Sequence, residues 1–243
     1  MKLNVLYESN DIVVINKPAG LVVHPDGKSE KATLVDLILA DYPSLAGVGE
    51  PLLVDGKLVD RPGIVHRLDE DTSGVMIITK NQESFLYFKE QFQKRLIQKE
   101  YHAFVWGHFK ESQGVVDVPI GRNRADFRRW HAGRGVRGEV RDAVTSWQVV
   151  HQFTDERGER FSFMHLFPKT GRTHQLRVHM KHLQRPIVAD PLYGPIKPNT
   201  LGFERVALHA RKIIFTDQTG EIITVEAPYP ADFEAAIAKY AKA

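Results

Sequence analysis

The sequence contains no cysteine. Disulfides, thiolate nucleophiles, cysteine-ligated zinc and iron–sulfur clusters are excluded together, and the composition fits a reducing compartment. No apolar run is long enough to span a bilayer. The first residues, with Lys2, Glu8 and Asp11 among them, lack the apolar core of a secretory signal. A cytoplasmic protein with no membrane attachment is the expectation. There is no Gly-rich phosphate loop, since Gly133-Arg134-Gly135 follows no strand and opens no helix. No serine occupies a nucleophile elbow. His174, His179 and His182 are the right residue type for a metal site. Their spacing does not put all three on one helical face and no nearby carboxylate completes a set, so no metal is expected.

What is present is an ordinary globular composition, 42% hydrophobic and 26% charged, which argues against wholesale disorder. With 243 residues the chain can bury a sizeable core. The net charge of +3 is small but unevenly placed. Between Arg160 and Asp190 there is no acid, while Lys169, Arg172, Arg177, Lys181 and Arg185 are all there. Between Arg122 and Arg141 the arginines outnumber Asp126 and Glu139. Two basic stretches interleaved with aromatic and glycine residues are the electrostatic footprint of a polyanion binder, although solvated basic faces carry the same signature.

Short β-branched runs at Val5–Tyr7 and Ile12–Ile15 read as two strands around a turn. Thr33 to Asp41 reads as a capped helix, with Asp36 three residues after Thr33. Pro43 to Arg61 is a loop with room for a small hairpin. Between Gln82 and Gln98 the residues Phe85, Leu86, Phe88, Phe92 and Leu96 recur at helical spacing. Lys99 to Gly107 alternates like a strand whose buried face is undecided, since both faces are largely apolar. Gly121 to Gly138 carries Arg122, Arg124, Arg128, Arg129, Arg134 and Arg137 with Phe127, Trp130 and His131 between them, and has no apolar periodicity. A mobile loop or loose hairpin is expected there. Segments 143–153 and 160–167 read as a strand pair, 174–183 as a helix, 208–215 and 221–226 as a second pair, and 231–242 as a terminal helix. The chain shows no repeat and no linker. The fold class expected is one α+β domain with many strands and few helices.

The stretch from Gly63 to Lys80 is a compact polar turn running into the apolar residues Val75 to Ile78. A polar turn set against a buried strand is a rigid seat for a chemical group. His66-Arg67-Leu68-Asp69, followed by Thr72-Ser73-Gly74, resembles the signature of the RluA-type pseudouridine synthases. Three further segments resemble motifs of that family in family order. They are Asn16 to Leu21 with His24-Pro25, then Lys99-x-Tyr101-x-Ala103-x-Val105-x-Gly107, then Lys169 to His179 followed by Pro186-Ile187 and Asp190-x-x-Tyr193-Gly194.

The resemblance implies the pseudouridine synthase fold, a central mixed and mostly antiparallel bent sheet flanked by a few helices and loops. It implies an isomerase that detaches uracil from C1′ of a uridine in structured RNA, turns it, and rejoins it through C5. Asp69 corresponds to the essential carboxylate, acting at C1′ as nucleophile or by charge stabilisation. Tyr101 corresponds to the residue that packs on the target base and is placed to take the C2′ proton. Arg177 corresponds to the arginine paired with the carboxylate, and Arg67 to the residue that fills the space of the flipped nucleotide. The motif residues His66, Lys99, Arg172 and His174 are further RNA-binding expectations, as are Arg122, Arg124, Arg128 and Arg129 in a basic RNA-contacting loop over 121–141. No cofactor and no metal are implied. The first motif begins close to Met1, so the S4-type domain of many relatives is expected to be missing. The expected substrate is large-subunit ribosomal RNA, with transfer RNA as the alternative and an inactive RNA-binding protein as a remote one. A monomer is expected.

Overall fold

A computed structural model describes residues 2–24, 32–54, 56–126, 128–133, 136–194 and 200–241. Pro25, Phe127, Arg134, Gly135 and Lys242, on which some of the expectations fall, lie outside the described residues. In chain order the elements are β1 (Val5–Glu8), β2 (Ile12–Lys17), α1 (Leu34–Asp41), β3 (Leu52–Val54), β4 (Lys57–Val59), β5 (Ser73–Thr79) and α2 (Gln82–Gln93). Then come β6 (Gln98–Trp106), β7 (Gln113–Asp117), β8 (Ile120–Asn123), β9 (Trp130–Ala132), β10 (Val136–Arg141), β11 (Val144–Thr154), β12 (Arg160–Pro168) and α3 (Gln175–His182). The last three are β13 (Leu208–Thr216), β14 (Ile222–Glu226) and α4 (Ala231–Tyr240). The class is α+β, as the strand-rich pattern implied. The chain forms two compact units, one of Met1–Ile97 with Ala210–Pro228, the other of Gln98–His209 with Tyr229–Ala243.

In the first unit the strands run in the order β1-β2-β5-β13, with β14 on β13. β2 and β5 pair antiparallel from Ile12 against Thr79 to Lys17 against Gly74. Every residue of β5 is buried, because its apolar side chains are covered on both faces. Met76 and Ile78 join Val13, Ile15, Leu34 and Ile38 in one core cluster, which seats α1 on the sheet. The expected cap is present: Thr33 and Asp36 form a reciprocal capping box at the start of α1. Gly74 has φ +119°, and a Cβ there would lie 2.2 Å from the carbonyl oxygen of Ala210, so only glycine lets the two backbones approach.

The helix expected over 82–98 ends at Gln93. The chain leaves it through Arg95, which has φ 62°, and Leu86 and Leu96 are exposed. Only Phe85 and Phe88 of the apolar stripe are fully buried, Phe88 edge-on to Phe215. The spacing overstated the helix because it counted Leu96, which lies beyond the turn.

The second unit is built on β6-β12-β11-β7, with β12 antiparallel to both β6 and β11. Ala103, Phe104 and Val105 of β6 are wholly buried with Phe161, Phe163 and Met164 of β12. Leu176 and Met180 of α3 and Phe233 and Ala236 of α4 complete that core. Both faces of β6 are therefore used, which is why alternation alone did not assign them.

Where a mobile loop or loose hairpin is expected over 121–138, the described residues form paired strands. β8, β9 and β10 form a three-stranded sheet in the order β10-β8-β9. Its anchors are Ile120 and Ala132, which pack with Ala143, Val178 and Tyr193. Two small apolar anchors among many arginines leave no visible period. The sheet exists because tertiary partners, not its own pattern, bury them.

Candidate active site

Asp69 sits in a turn whose backbone is fastened from several sides. The Asp69 carbonyl accepts from the Thr72 amide at 3.1 Å. Lys17, at the end of β2, is fully buried, and its ammonium donates to the carbonyls of Pro18 and Leu21 at 2.8 Å each and of Glu70 at 2.9 Å. The Gly20 amide donates to the same Glu70 carbonyl at 2.9 Å. A buried ammonium is tolerated only with such a set of acceptors. The Asn16–Gly20 segment and the Asp69 turn are thus one polar assembly. Thr72 is buried, and its hydroxyl oxygen has no hydrogen-bond partner among the described residues.

His66 serves the scaffold. Its Nε2 accepts from the Ile77 amide at 2.9 Å, and its ring stacks on Phe92 with centroids 4.5 Å apart. Arg67 is exposed, and its Nη1 donates to Nε2 of the buried His24 at 2.9 Å. Asp69, Arg67 and His66 belong to the first unit.

The remaining expected site residues belong to the second unit. Tyr101 is half-buried on β6, opposite Leu166 of β12, and packs against the main core. Lys99 lies two residues earlier, and burial lowers its ammonium from the usual 10.5 to about 8. Its Nζ has the Thr170 carbonyl at 3.5 Å. The turn before α3 is organised by the buried Gln175. Its Oε1 accepts from the Thr170 hydroxyl at 2.6 Å and the Arg172 amide at 3.0 Å, and its Nε2 donates to the Val144 carbonyl at 3.0 Å. The Arg172 guanidinium donates to the Asp142 carbonyl at 3.1 Å.

Arg177 is held by a residue to which the sequence assigns no role of its own. Its Nε and Nη2 donate to the two carboxylate oxygens of Asp190 at 2.7 and 2.8 Å, with both side chains buried. Such a bidentate pair fixes the plane of the guanidinium. Tyr193 is the second unexpected hub. Its hydroxyl accepts from the Trp130 amide at 2.8 Å and lies 2.9 Å from Nδ1 of His174. His174 precedes α3 with φ 55°, and the Arg177 guanidinium lies 5.2 Å from the Tyr193 ring centre. The signals for Asp190 in the sequence are its place in the last motif and its position as the first acid after a long acid-free stretch.

On the small sheet, Arg122 lies over the Trp130 ring at 4.4 Å, and Arg124 donates to the Val136 carbonyl at 3.0 Å. Arg128 bonds Asp126 through Nε and Nη2 at 3.0 and 2.9 Å, and Arg129 lies 3.4 Å from the same carboxylate. The hydrogen bonds from Arg128 hold Asp126 down to about 2. These pairs are exposed and exchangeable, so they leave the arginines able to turn to another anion.

Of the three histidines near α3, His179 is wholly buried between the Thr145 hydroxyl at 2.9 Å and the Val118 carbonyl at 3.0 Å. Burial lowers its pKa and keeps the ring neutral. Among the described residues, Glu100, His102 and His165 bring three potential ligand atoms within 4.8 Å of one another. The two imidazoles stack at 3.8 Å and 5°. Their in-plane lone pairs lie in parallel planes, so both cannot reach one ion as they stand. His102 instead uses Nε2 against Glu100 Oε1 at 2.8 Å.

The family model for RNA pseudouridylate synthase matches residues 11–182, which include the Asp69 turn, β6 and α3. The chain belongs to the RNA pseudouridylate synthase family, and to its RluA type. As a member it is an isomerase acting on uridine in RNA. An uncharacterized RNA pseudouridine synthase of Synechocystis is 40% identical over 236 residues, covering 96% of this chain and 67% of that protein. The ribosomal large subunit pseudouridine synthase D of Xanthomonas campestris is 39% identical over 244 residues, with coverage of 96% and 67%. The chain therefore spans about two thirds of the length of these relatives. Among solved structures, human RNA pseudouridylate synthase domain containing 1 superposes with a TM-score of 0.73 at 27% identity, covering 94% of this chain and 84% of that one. Among the described residues of this pseudouridylate synthase, no helix is long and apolar enough to cross a membrane.

Proposed function

We propose that this pseudouridine synthase modifies a uridine of large-subunit ribosomal RNA, with Asp69 as the reacting carboxylate. The reading of the target rests on one observation. Several similar proteins, 35–39% identical, are named ribosomal large subunit pseudouridine synthase D. The reaction breaks the bond from C1′ to N1, forms one from C1′ to C5, releases the C5 proton and takes one up at N1, so nothing is oxidised or hydrolysed in net terms.

In this proposal the Asp69 carboxylate acts at C1′, as nucleophile or by stabilising positive charge there. Tyr101 offers a flat face to the uracil and, where a glycal forms, an oxygen that takes the C2′ proton and returns it as C1′ bonds C5. Arg177, aligned by Asp190, keeps a neighbouring carboxylate ionised. Arg67 fills the gap left when the nucleotide leaves its stack. Arg122, Arg124, Arg128 and Arg129 supply phosphate contacts, as do Lys99 and Arg172. His66 and His174 contribute by holding the two turns.

The test is tritium release from ribosomal RNA transcripts labelled at C5 of uridine, with transfer RNA transcripts alongside. Large-subunit RNA should release tritium, and Asp69→Ala and Asp69→Asn should abolish release while keeping the circular dichroism of the parent. Release from transfer RNA alone would move the target. Turnover surviving Asp69→Ala would overturn the assignment of the carboxylate.

A further inference from the structure

The two basic stretches of the sequence meet at one place in the second unit. A cleft of roughly 680 Å³ opens between β9 and the last turn of α3. From the first stretch it is lined by Arg129, Trp130 and His131, and from the second by Lys181 and His182. Arg129, His131, Lys181 and His182 are all exposed, and no carboxylate is among the cleft's described lining residues. Beneath this rim lies an apolar floor that includes Trp130, Pro186, Tyr193 and Val178.

The cleft is a built feature. Val178 packs into the cluster of Ile120, Ala132 and Tyr193, which seats α3 against the small sheet. The hydrogen bond from the Trp130 amide to the Tyr193 hydroxyl fastens β9 to the cleft wall. The Trp130 ring is braced by Arg122. Flat apolar surface under a rim of arginine, lysine and imidazole groups suits an unstacked base with its phosphates, and single-strand binders combine stacking surface with basic side chains in this way. The volume is within the range of small-molecule sites and accommodates a nucleotide.

We propose that this cleft holds an unpaired nucleotide of the substrate RNA, its base over Trp130 and its phosphates on Arg129, Lys181 and His182. The proposal rests on RNA being the substrate and adds a requirement to it: the recognised RNA carries a second unpaired nucleotide besides the target uridine.

The experiment measures binding of a fluorescent single-stranded uridine decamer, and of a paired RNA duplex of equal length, across a salt series. In the double variant Lys181→Ala, His182→Ala, affinity for the single strand should fall about tenfold or more. The slope of log affinity against log salt should flatten by about 0.7 for each phosphate that the variant no longer neutralises. The charge-keeping variant Lys181→Arg, with His182 intact, should retain both. Unchanged affinity and slope in the double variant, or their loss in Lys181→Arg, would overturn the cleft assignment. So would an equal loss for the duplex, which would reduce the cleft to a backbone contact. Tritium release by the wild type separates the two readings. If large-subunit RNA releases none while decamer binding still depends on Lys181 and His182, the target reading fails and the cleft stands.

Discussion

The ammonium of Lys17 donates to the carbonyl of Glu70 at 2.9 Å, joining the end of β2 to the residue that follows Asp69. The same group also holds Pro18 and Leu21, and it is wholly shielded from solvent. Replacing it by Met would leave three carbonyls without their charged donor. We expect Lys17→Met to cost on the order of 3 kcal/mol in urea denaturation, since bonds to charged groups are worth more than neutral ones. Tritium release should fall through kcat more than KM, because the turn loses its position and not its hold on RNA. A variant of parental stability would show that the carbonyls find other donors.

Asp190 and Arg177 form a buried bidentate pair. Asp190→Ala is expected to lower stability by about 3–5 kcal/mol, the usual cost of breaking a buried ion pair by removing one partner. Asp190 also accepts from the Leu192 and Tyr193 amides at 2.9 and 3.1 Å, so the Tyr193 hub should loosen as well. Arg177→Lys should not rescue function, because an ammonium cannot reproduce two parallel bonds. Thermal melts and single-turnover pseudouridine formation check both. Full activity in Arg177→Lys would show that charge alone is needed.

The Thr72 hydroxyl is buried without a hydrogen-bond partner among the described residues, which is unfavourable for folding. Thr72→Val should therefore leave stability unchanged or raise it by about 1 kcal/mol. A destabilisation of that size instead would mean the hydroxyl is satisfied in solution. A gain in stability accompanied by loss of tritium release would assign the hydroxyl to the bound RNA.

Lys99 sets a pH signature. In the folded protein its ammonium gives up its proton near 8, against 10.5 when unfolded. Between those values the unfolded chain binds more protons, so stability should rise with pH across the window. Lys99→Met should flatten that rise, seen as a smaller change in urea midpoint between pH 8 and pH 10. Contacts made by the charged ammonium to RNA would weaken over the same rise in pH. An identical pH slope in Lys99→Met would place the ammonium in a more solvated setting.

The family and the class of reaction were legible along the chain. Asp69, Tyr101, Arg177 and Lys99 stand in segments whose residue order alone resembles the family, and the capped helix at Thr33 and the buried β5 follow from local propensity and apolar runs. Local patterns failed where the reason for a residue is a distant neighbour. Leu86 and Leu96 keep helical spacing but face solvent, Leu86 from the outer side of α2 and Leu96 from beyond the turn at Arg95. The small sheet of β8, β9 and β10 reads as a mobile loop or loose hairpin, because Ile120 and Ala132 are buried by partners outside it, Ala143, Val178 and Tyr193.

Composition, periodicity and residue order were enough for the strand-rich α+β class, the motif residues and the uneven basic charge, because all three are properties of the linear chain. Which groups serve which was settled by folding. The fold set Asp190 on Arg177, buried Lys17 under the Asp69 turn, committed His66 to the Ile77 amide, and brought Arg129 and Lys181 to one cleft. Each of these depends on distances of a few ångströms between residues separated along the chain, and hydrogen bonds and ion pairs act only over such distances.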